Sequence, residues 1–125
     1  MDRQRNISIR RLLLPRDTNH RGEIFGGAIL AEIDLAGAIE AKRHTPHDVA
    51  TIAVKEVVFR KPVQVGDVVT FWTSLVRTGK TSITVKVEVE SSRNGELAPV
   101  SVTAAEVVYV AIEKMNDGTI EKTKV

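Results

Sequence analysis

The sequence predicts a single α+β domain in which one long helix lies on the face of an antiparallel sheet. Residues 27–43 form one apolar run of helix formers, and the chain after about residue 50 contains four runs typical of strands. Short turns between successive strands favour antiparallel pairing, and one helix followed by a run of strands is typical of the α+β class. We therefore assign residues 1–125 to one domain, with a core over about 7–113 and a polar, loose tail over 114–125.

The strand assignments depend on apolar alternation and on turn residues. The strands predicted in this way are residues 7–14, 51–59, 68–76, 83–90 and 100–112. The run 83–90 is the clearest, because Ile and Val alternate with Thr, Lys and Glu as in a half-buried antiparallel strand. Asn94-Gly95 is a strong hairpin signal. We therefore expect the four strands after the helix to form a meander of sequential neighbours.

The composition and the absence of certain motifs exclude several classes of protein. The net charge is +2 and no long basic stripe occurs, so nucleic-acid binding has no support. No run approaches the roughly 20 apolar residues of a membrane span, and no signal-type apolar run of about 7–15 residues is present, so we expect a cytoplasmic protein. The chain has no cysteine and no H-E-x-x-H motif, so we expect no metal site.

The predicted helix contains one carboxylate in an unexpected position. On a helical wheel Glu32, Glu40 and Arg43 form a narrow polar edge, and the rest is so apolar that the helix is expected to be buried nearly all round. Asp34 lies opposite that edge, where loss of hydration costs several kcal/mol unless it is compensated. It either pairs with a basic or backbone group or acts as a catalytic base or nucleophile.

Two glycines, Gly26 and Gly27, stand where this helix begins. The first N–H groups of a helix lack internal partners and carry the positive end of the dipole, so they suit a carbonyl oxygen that becomes negative during attack. Asp34 follows Gly27 by seven residues, about 10 Å along the axis. One substrate carbonyl cannot touch both within one helix, so joint use of the two favours an oligomer in which a second chain supplies one of them.

Two motifs give the chain a family resemblance: D-x-N-x-x-G-x-x-F-G-G at 17–27 and I-D-x-A-G-A at 33–38. With these motifs the chain resembles the YciA-like acyl-CoA thioesterases of the hotdog superfamily, relatives of the cytosolic acyl-CoA hydrolases of animals, over about residues 9–113. The resemblance implies a hotdog fold, an antiparallel sheet wrapped around one long central helix. It also implies dimers with active sites at the subunit interface, assembled into hexamers as trimers of dimers.

The resemblance assigns roles by position. Asp34 matches the catalytic carboxylate, Asn19 matches the asparagine that supports catalysis from the partner chain, and the Gly27 N–H is the oxyanion contact. The residues expected near the substrate are Phe25, Gly26, Ala28, Arg60, Lys61, Lys80, Thr81 and Ser82. The basic groups among them would meet CoA phosphates. Ala28 replaces a tryptophan common in bacterial members, which puts the acyl-chain preference in question. The resemblance implies no cofactor, because CoA is part of the substrate.

The resemblance thus implies hydrolysis of acyl-CoA to free fatty acid and CoA, through an activated water or a mixed anhydride on Asp34. Three other functions stay open. One is a hotdog module that binds acyl-CoA without hydrolysing it, and another is a hotdog hydratase or dehydratase, which would use a histidine motif near the helix start. The third is a purely structural oligomer in which Asp34 only forms a salt bridge.

Overall fold

The computed structural model describes residues 4–24, 26–93 and 96–125. Its central helix α1 spans Gly26–Ala41, and a short 3₁₀ turn follows over Lys42–His44. The strands of the described residues are β1 (Asn6–Leu12), β2 (Asp48–Lys55), β3 (Val68–Thr78), β4 (Ser82–Ser92), β5 (Val100–Lys114) and β6 (Ile120–Lys122). Phe25 and the Asn94-Gly95 turn lie outside the described residues, although β4 and β5 on either side of that turn do pair antiparallel.

The strands form one antiparallel sheet in the order β1-β3-β4-β5-β2. This sheet curls around α1, which confirms the α+β class and the helix wrapped by a sheet. The alternation predicted for β4 is also present: Val85, Val87 and Val89 are fully buried, and they form the core with Phe71 and Ile33. One side of the helix therefore packs against the sheet. No helix in the described ranges has the length and apolar character needed to span a membrane.

The predicted meander is wrong at its first step. β2 pairs with β5 and not with β3, and it ends at Lys55 instead of residue 59. Glu56 adopts a left-handed backbone, with φ of 47°, which turns the chain away from the β5 ladder. The apolar pattern continues past this break because Val57 still packs against the core. The apolar pattern alone therefore predicted too late an end for β2. Residues 56–67 form a long connection instead of a tight turn.

The tail predicted to be loose is ordered. β6 pairs with the end of β5, where β5 extends beyond the start of β4 and leaves backbone groups unpaired by that strand. The Thr123 N–H donates to the Ala111 carbonyl at 2.9 Å, and the Val125 N–H donates to the Lys80 carbonyl at 3.0 Å. Backbone pairing, which a polar composition does not reveal, holds this segment.

Glu40, which the helical wheel places on the narrow polar edge of the helix, is only 2% exposed. Asn6, Thr73 and Arg43 donate to its Oε1, and its Oε2 lies 2.7 Å from Nε2 of His44. Burial raises the pKa of the Glu40 carboxyl, but the hydrogen bonds and the Arg43 charge outweigh it, so this pKa lies below its ordinary value of 4.5. The ionised carboxylate thus fastens the end of α1 to β1 and β3.

Replacing Glu40 by glutamine is expected to lower the free energy of unfolding by about 2 kcal/mol at neutral pH, because charge-assisted hydrogen bonds are lost. The folded-state pKa is depressed, so the wild-type contribution is complete above pH 4.5 and declines as the pH falls below it. Urea unfolding at about pH 7 and about pH 3.5 should show the difference between the proteins shrinking at the lower pH. An equal difference at both pH values would contradict this account.

Asp67 links the start of β3 to the end of β4. Its carboxylate is 1% exposed and accepts hydrogen bonds from the Gln64 N–H, the Ser91 hydroxyl and two nitrogens of Arg93, all between 2.9 and 3.0 Å. Gly66, with φ of 92°, makes the turn that brings the carboxylate inward. The pair Gly66-Asp67, which follows the proline-containing segment, therefore stabilises the fold.

An Asp67→Ala variant is expected to lose about 3 kcal/mol of unfolding free energy. Most of this comes from the Ser91 hydroxyl and the Gln64 N–H, which lose their acceptor, since Arg93 is partly exposed and can be hydrated. Denaturant titration measures the loss, and Asp67→Asn, which keeps one acceptor oxygen, should lose about half as much. A loss below about 1 kcal/mol for the alanine variant would show that the hydrogen bonds of Asp67 contribute little to stability.

Candidate active site

One side of α1 is apolar and open. Leu30, Leu35 and Ile39 are 39 to 56% exposed, so the prediction of a helix buried nearly all round is wrong for the single chain. The sheet covers only the opposite side of the helix. The edge strand β2 also exposes Ile52 and Val54. Large apolar side chains left exposed on the helix and on a neighbouring edge strand favour an interaction site.

Asp34 lies on this helix, one turn after Leu30, and it is half-buried. The Thr51 hydroxyl on β2 donates to its Oδ1 at 2.6 Å. Within the described ranges no ion pair includes Asp34, which removes support for a salt-bridged, purely structural carboxylate. The carboxylate has one neutral donor and retains free acceptor capacity, as a base or nucleophile requires.

The backbone of Asp34 is held as well. Tyr109 on β5 is fully buried beneath α1, and its hydroxyl donates to the Asp34 carbonyl at 2.6 Å. A Cβ atom at Gly37 would lie 3.1 Å from Cζ of the Tyr109 ring and closer to its hydroxyl, so only glycine allows this approach. Thr51 and Tyr109 face each other as register partners of β2 and β5. Sequence analysis missed both, because their contact with Asp34 depends on strand register.

Asn19 is positioned by its own loop. Its side-chain Oδ1 accepts the N–H groups of Arg21 at 2.9 Å and Glu23 at 3.2 Å, and its backbone N–H donates to the Glu23 carbonyl. The carbonyl end of this amide is therefore occupied. The Nδ2 group is the part of the side chain that remains to donate to a ligand.

Asp17, the first residue of the same motif, has a structural role. Its carboxylate accepts the Leu14 N–H at 3.0 Å and pairs with Arg11 at 2.6 Å. A second nitrogen of Arg11 bonds Glu32 of α1 at 3.2 Å. Arg11 thus fastens the start of the Asn19 loop to the helix.

The Asn19 loop borders a groove of about 260 Å³ at the start of α1. The groove is lined by Asn19, Arg21, Glu23, Ile24, Gly26, Ile29, Phe59, Pro62 and Val63. The helix starts at Gly26, one residue earlier than predicted, and Gly26, Gly27 and Ala28 are half-buried. This groove combines an apolar wall, an amide and the first turn of a helix.

The predicted CoA contacts fall into two groups. The Arg60 N–H bonds the carbonyl of Val102 on β5, whereas Ser82 pairs with Val110 of the same strand. Eight strand residues separate these points, about 26 Å. Arg60 and Lys61 therefore lie at the groove end, and Lys80, Thr81 and Ser82 lie at the end where Tyr109 contacts Asp34.

The predicted site residues thus fall into two separate groups on one chain. We call Asn19, the helix start 26–28, Arg60 and Lys61 the loop half-site, and Asp34, Thr51 and 80–82 the carboxylate half-site. Asp34 remains about 10 Å from Gly27 along the helix axis, as expected. Within a single chain, the structure does not bring the predicted catalytic residues together. The described residues contain no cluster of His, Asp or Glu arranged to hold a metal ion.

Comparisons with known proteins identify the class. Residues 21–98 match the model of the thioesterase superfamily. A hexameric hotdog fold thioesterase of Campylobacter jejuni superposes with a TM-score of 0.82, at 40% identity, over 94% of this chain and 90% of that chain.

Two curated relatives narrow the family. The chain is 42% identical over 111 residues to an uncharacterised acyl-CoA thioester hydrolase of Buchnera aphidicola, covering 85% of this chain and 81% of that protein. It is 42% identical over 86 residues to the acyl-CoA thioester hydrolase YciA of Salmonella typhimurium, covering 69% of this chain and 65% of that protein. The chain belongs to the thioesterase superfamily, in the family of the YciA-like acyl-CoA thioester hydrolases.

Proposed function

We propose that this protein hydrolyses acyl-CoA thioesters to free fatty acids and CoA, with Asp34 as the catalytic carboxylate. The observation that carries the proposal is the Asp34 carboxylate, which lies half-buried on an apolar helix face with Thr51 as its hydrogen-bond donor. Family membership supports the same reaction. The proposal includes the cytoplasm as the place of action.

We propose that a second copy of the chain completes each site. Leu30, Leu35 and Ile39 of α1 are exposed, and β2, whose Thr51 contacts Asp34, is an edge strand of the sheet. In a symmetric dimer the same surface occurs on both subunits, so the carboxylate half-site of one chain can face the loop half-site of the other. A trimer of such dimers would give the hexamer that the Campylobacter jejuni relative forms.

In the proposed reaction the thioester carbonyl binds against the N-terminal turn of α1, with the Gly27 N–H facing the oxygen that becomes negative. Asn19 of that chain donates through Nδ2 to the carbonyl or to the attacking water. Asp34 of the other chain removes a proton from a water molecule, and this water attacks the carbonyl carbon. The C–S bond breaks, the CoA thiolate leaves and takes up a proton, and the fatty acid departs.

An alternative route begins with direct attack of Asp34 on the carbonyl carbon, which expels CoA and leaves a mixed anhydride that water then hydrolyses. Label found in Asp34 after a single turnover in ¹⁸O-labelled water identifies the anhydride route. When the water that hydrolyses the anhydride attacks the aspartyl carbon, the label enters Asp34, and mass spectrometry of the peptide detects it. Activation of water by Asp34 leaves the carboxylate unlabelled.

Binding of the substrate is proposed to involve both half-sites. Arg60, Lys61 and Lys80 are exposed cations suited to CoA phosphates, and Thr81 and Ser82 supply hydroxyl groups beside Lys80. Phe25, Gly26 and Ala28 stay proposed contacts of the acyl end. With CoA as part of the substrate, the proposed reaction uses water and no separate cofactor.

The test of this function is release of free CoA thiol from a panel of short-, medium- and long-chain acyl-CoAs by the purified protein. Turnover above the uncatalysed rate with at least one member of the panel supports the enzyme. Tight binding of acyl-CoA without thiol release would instead support the non-catalytic acyl-CoA-binding protein. The panel also shows the acyl length that the small Ala28 side chain favours.

A further inference from the structure

We propose that Tyr109 is a positioning residue for catalysis, which sets the place of Asp34 by holding the backbone of the helical turn that carries it. The inference rests on the proposed function of Asp34. The contact that carries it is the hydrogen bond from the Tyr109 hydroxyl to the Asp34 carbonyl at 2.6 Å.

The surroundings of Tyr109 show that this contact is built into the fold. The Asp34 carbonyl belongs to the interior of α1, where the helix itself supplies a donor four residues later. A second donor from the sheet is therefore not needed to satisfy the helix. The close approach of the ring also requires glycine at position 37, since a methyl group there would collide with it.

Thr51 and Tyr109 act on the same residue from adjacent strands. They are register partners, and one hydroxyl holds the Asp34 carboxylate while the other holds its carbonyl. Two points fixed on one rigid sheet define both the position and the direction of the carboxylate. Immediately after Thr51 the β2–β5 register shifts, an irregularity of the kind that re-aims side chains near active sites.

The phenol is also a permanent donor. Its burial and the neighbouring Asp34 carboxylate raise the pKa of Tyr109 above its ordinary value, so the hydroxyl keeps its proton throughout the pH range in which the enzyme would work. The hydrogen bond to the carbonyl therefore does not change with pH.

Tyr109→Phe removes only the hydroxyl and keeps the buried ring. We expect kcat for acyl-CoA hydrolysis to fall about tenfold, since small displacements of a catalytic group cost rate, while KM stays within about twofold because no substrate contact is lost. The matched control is Thr73→Val, which also removes one buried hydroxyl that anchors α1 to the sheet, through Glu40. It should lose similar stability in thermal unfolding and keep wild-type kcat.

The double variant Asp34→Asn/Tyr109→Phe completes the test. A residue that acts through Asp34 has nothing to position once that carboxylate is gone, so Tyr109→Phe should not lower the residual rate of Asp34→Asn further. Full kcat in Tyr109→Phe, or an equal loss in Thr73→Val, overturns the positioning role and leaves the proposed function intact. Full activity of Asp34→Asn alone overturns both.

Discussion

Replacing Asp34 by asparagine is expected to lower kcat for acyl-CoA hydrolysis by about a thousandfold, because the amide can neither accept a proton from water nor attack the carbonyl. In the wild type the Thr51 hydroxyl donates to Oδ1 of Asp34. Asparagine keeps the size of the side chain and an oxygen that can accept this hydrogen bond. The fold should therefore persist, and thermal unfolding of the variant should resemble that of the wild type. Free thiol release at saturating substrate measures the effect.

The matched control for this variant is Asp48→Asn, which makes the same chemical change three residues before Thr51. Asp48 is exposed, and its Oδ1 pairs with Lys42 at 3.6 Å and accepts the Val49 N–H at 2.9 Å. An asparagine oxygen can still accept that N–H and a surface ion pair is weak, so the replacement should leave kcat unchanged. A parallel loss in both variants would show a general effect of charge on this side of the molecule. Undiminished hydrolysis by Asp34→Asn would end the catalytic assignment.

The second large effect is recovery of activity when two inactive variants share an assembly. Asn19→Asp keeps the Oδ1 acceptor that holds the Arg21 and Glu23 N–H groups but replaces the Nδ2 donor, so it should disable the loop half-site without opening the loop. Co-expression with Asp34→Asn gives mixed dimers in which one site combines an intact Asn19 with an intact Asp34 from opposite chains.

Random pairing makes half of the dimers mixed, and each mixed dimer regains one of its two sites, so about a quarter of wild-type activity should return. Each variant expressed alone serves as the control and should stay nearly inactive. Differently tagged subunits allow the mixed species to be purified and assayed by itself. If the mixed species is as inactive as its parents, Asn19 and Asp34 do not cooperate across chains.

Periodicity and motifs were sufficient to predict the coarse fold and the separation of Asp34 from the start of the helix. The helix, the alternating strand around Val85 and Val87, and the distance between Gly27 and Asp34 follow from residue order alone. These features are local, so the sequence specifies them directly.

The errors concern contacts between distant segments. The helical wheel does not reveal the buried hydrogen bonds of Glu40, because its partners Asn6 and Thr73 lie 34 and 33 positions away in the chain. The pairing of β2 with β5 and the order in the tail likewise depend on which backbone edges the sheet leaves open. Thr51 and Tyr109 were missed for the same reason, since no linear pattern marks a hydroxyl as a neighbour of Asp34.

The sixteen residues of α1 are divided among tasks that face in different directions. Ile33 and Ala36 fill the core, Glu40 fastens the helix end, and Gly37 leaves space for an aromatic ring. The remaining side carries Asp34, with Leu30 one turn before it and Ala38 one turn after it. Mutational tolerance should accordingly be low along nearly the whole circumference, and a redesign of substrate preference has more freedom in the loops than in this segment.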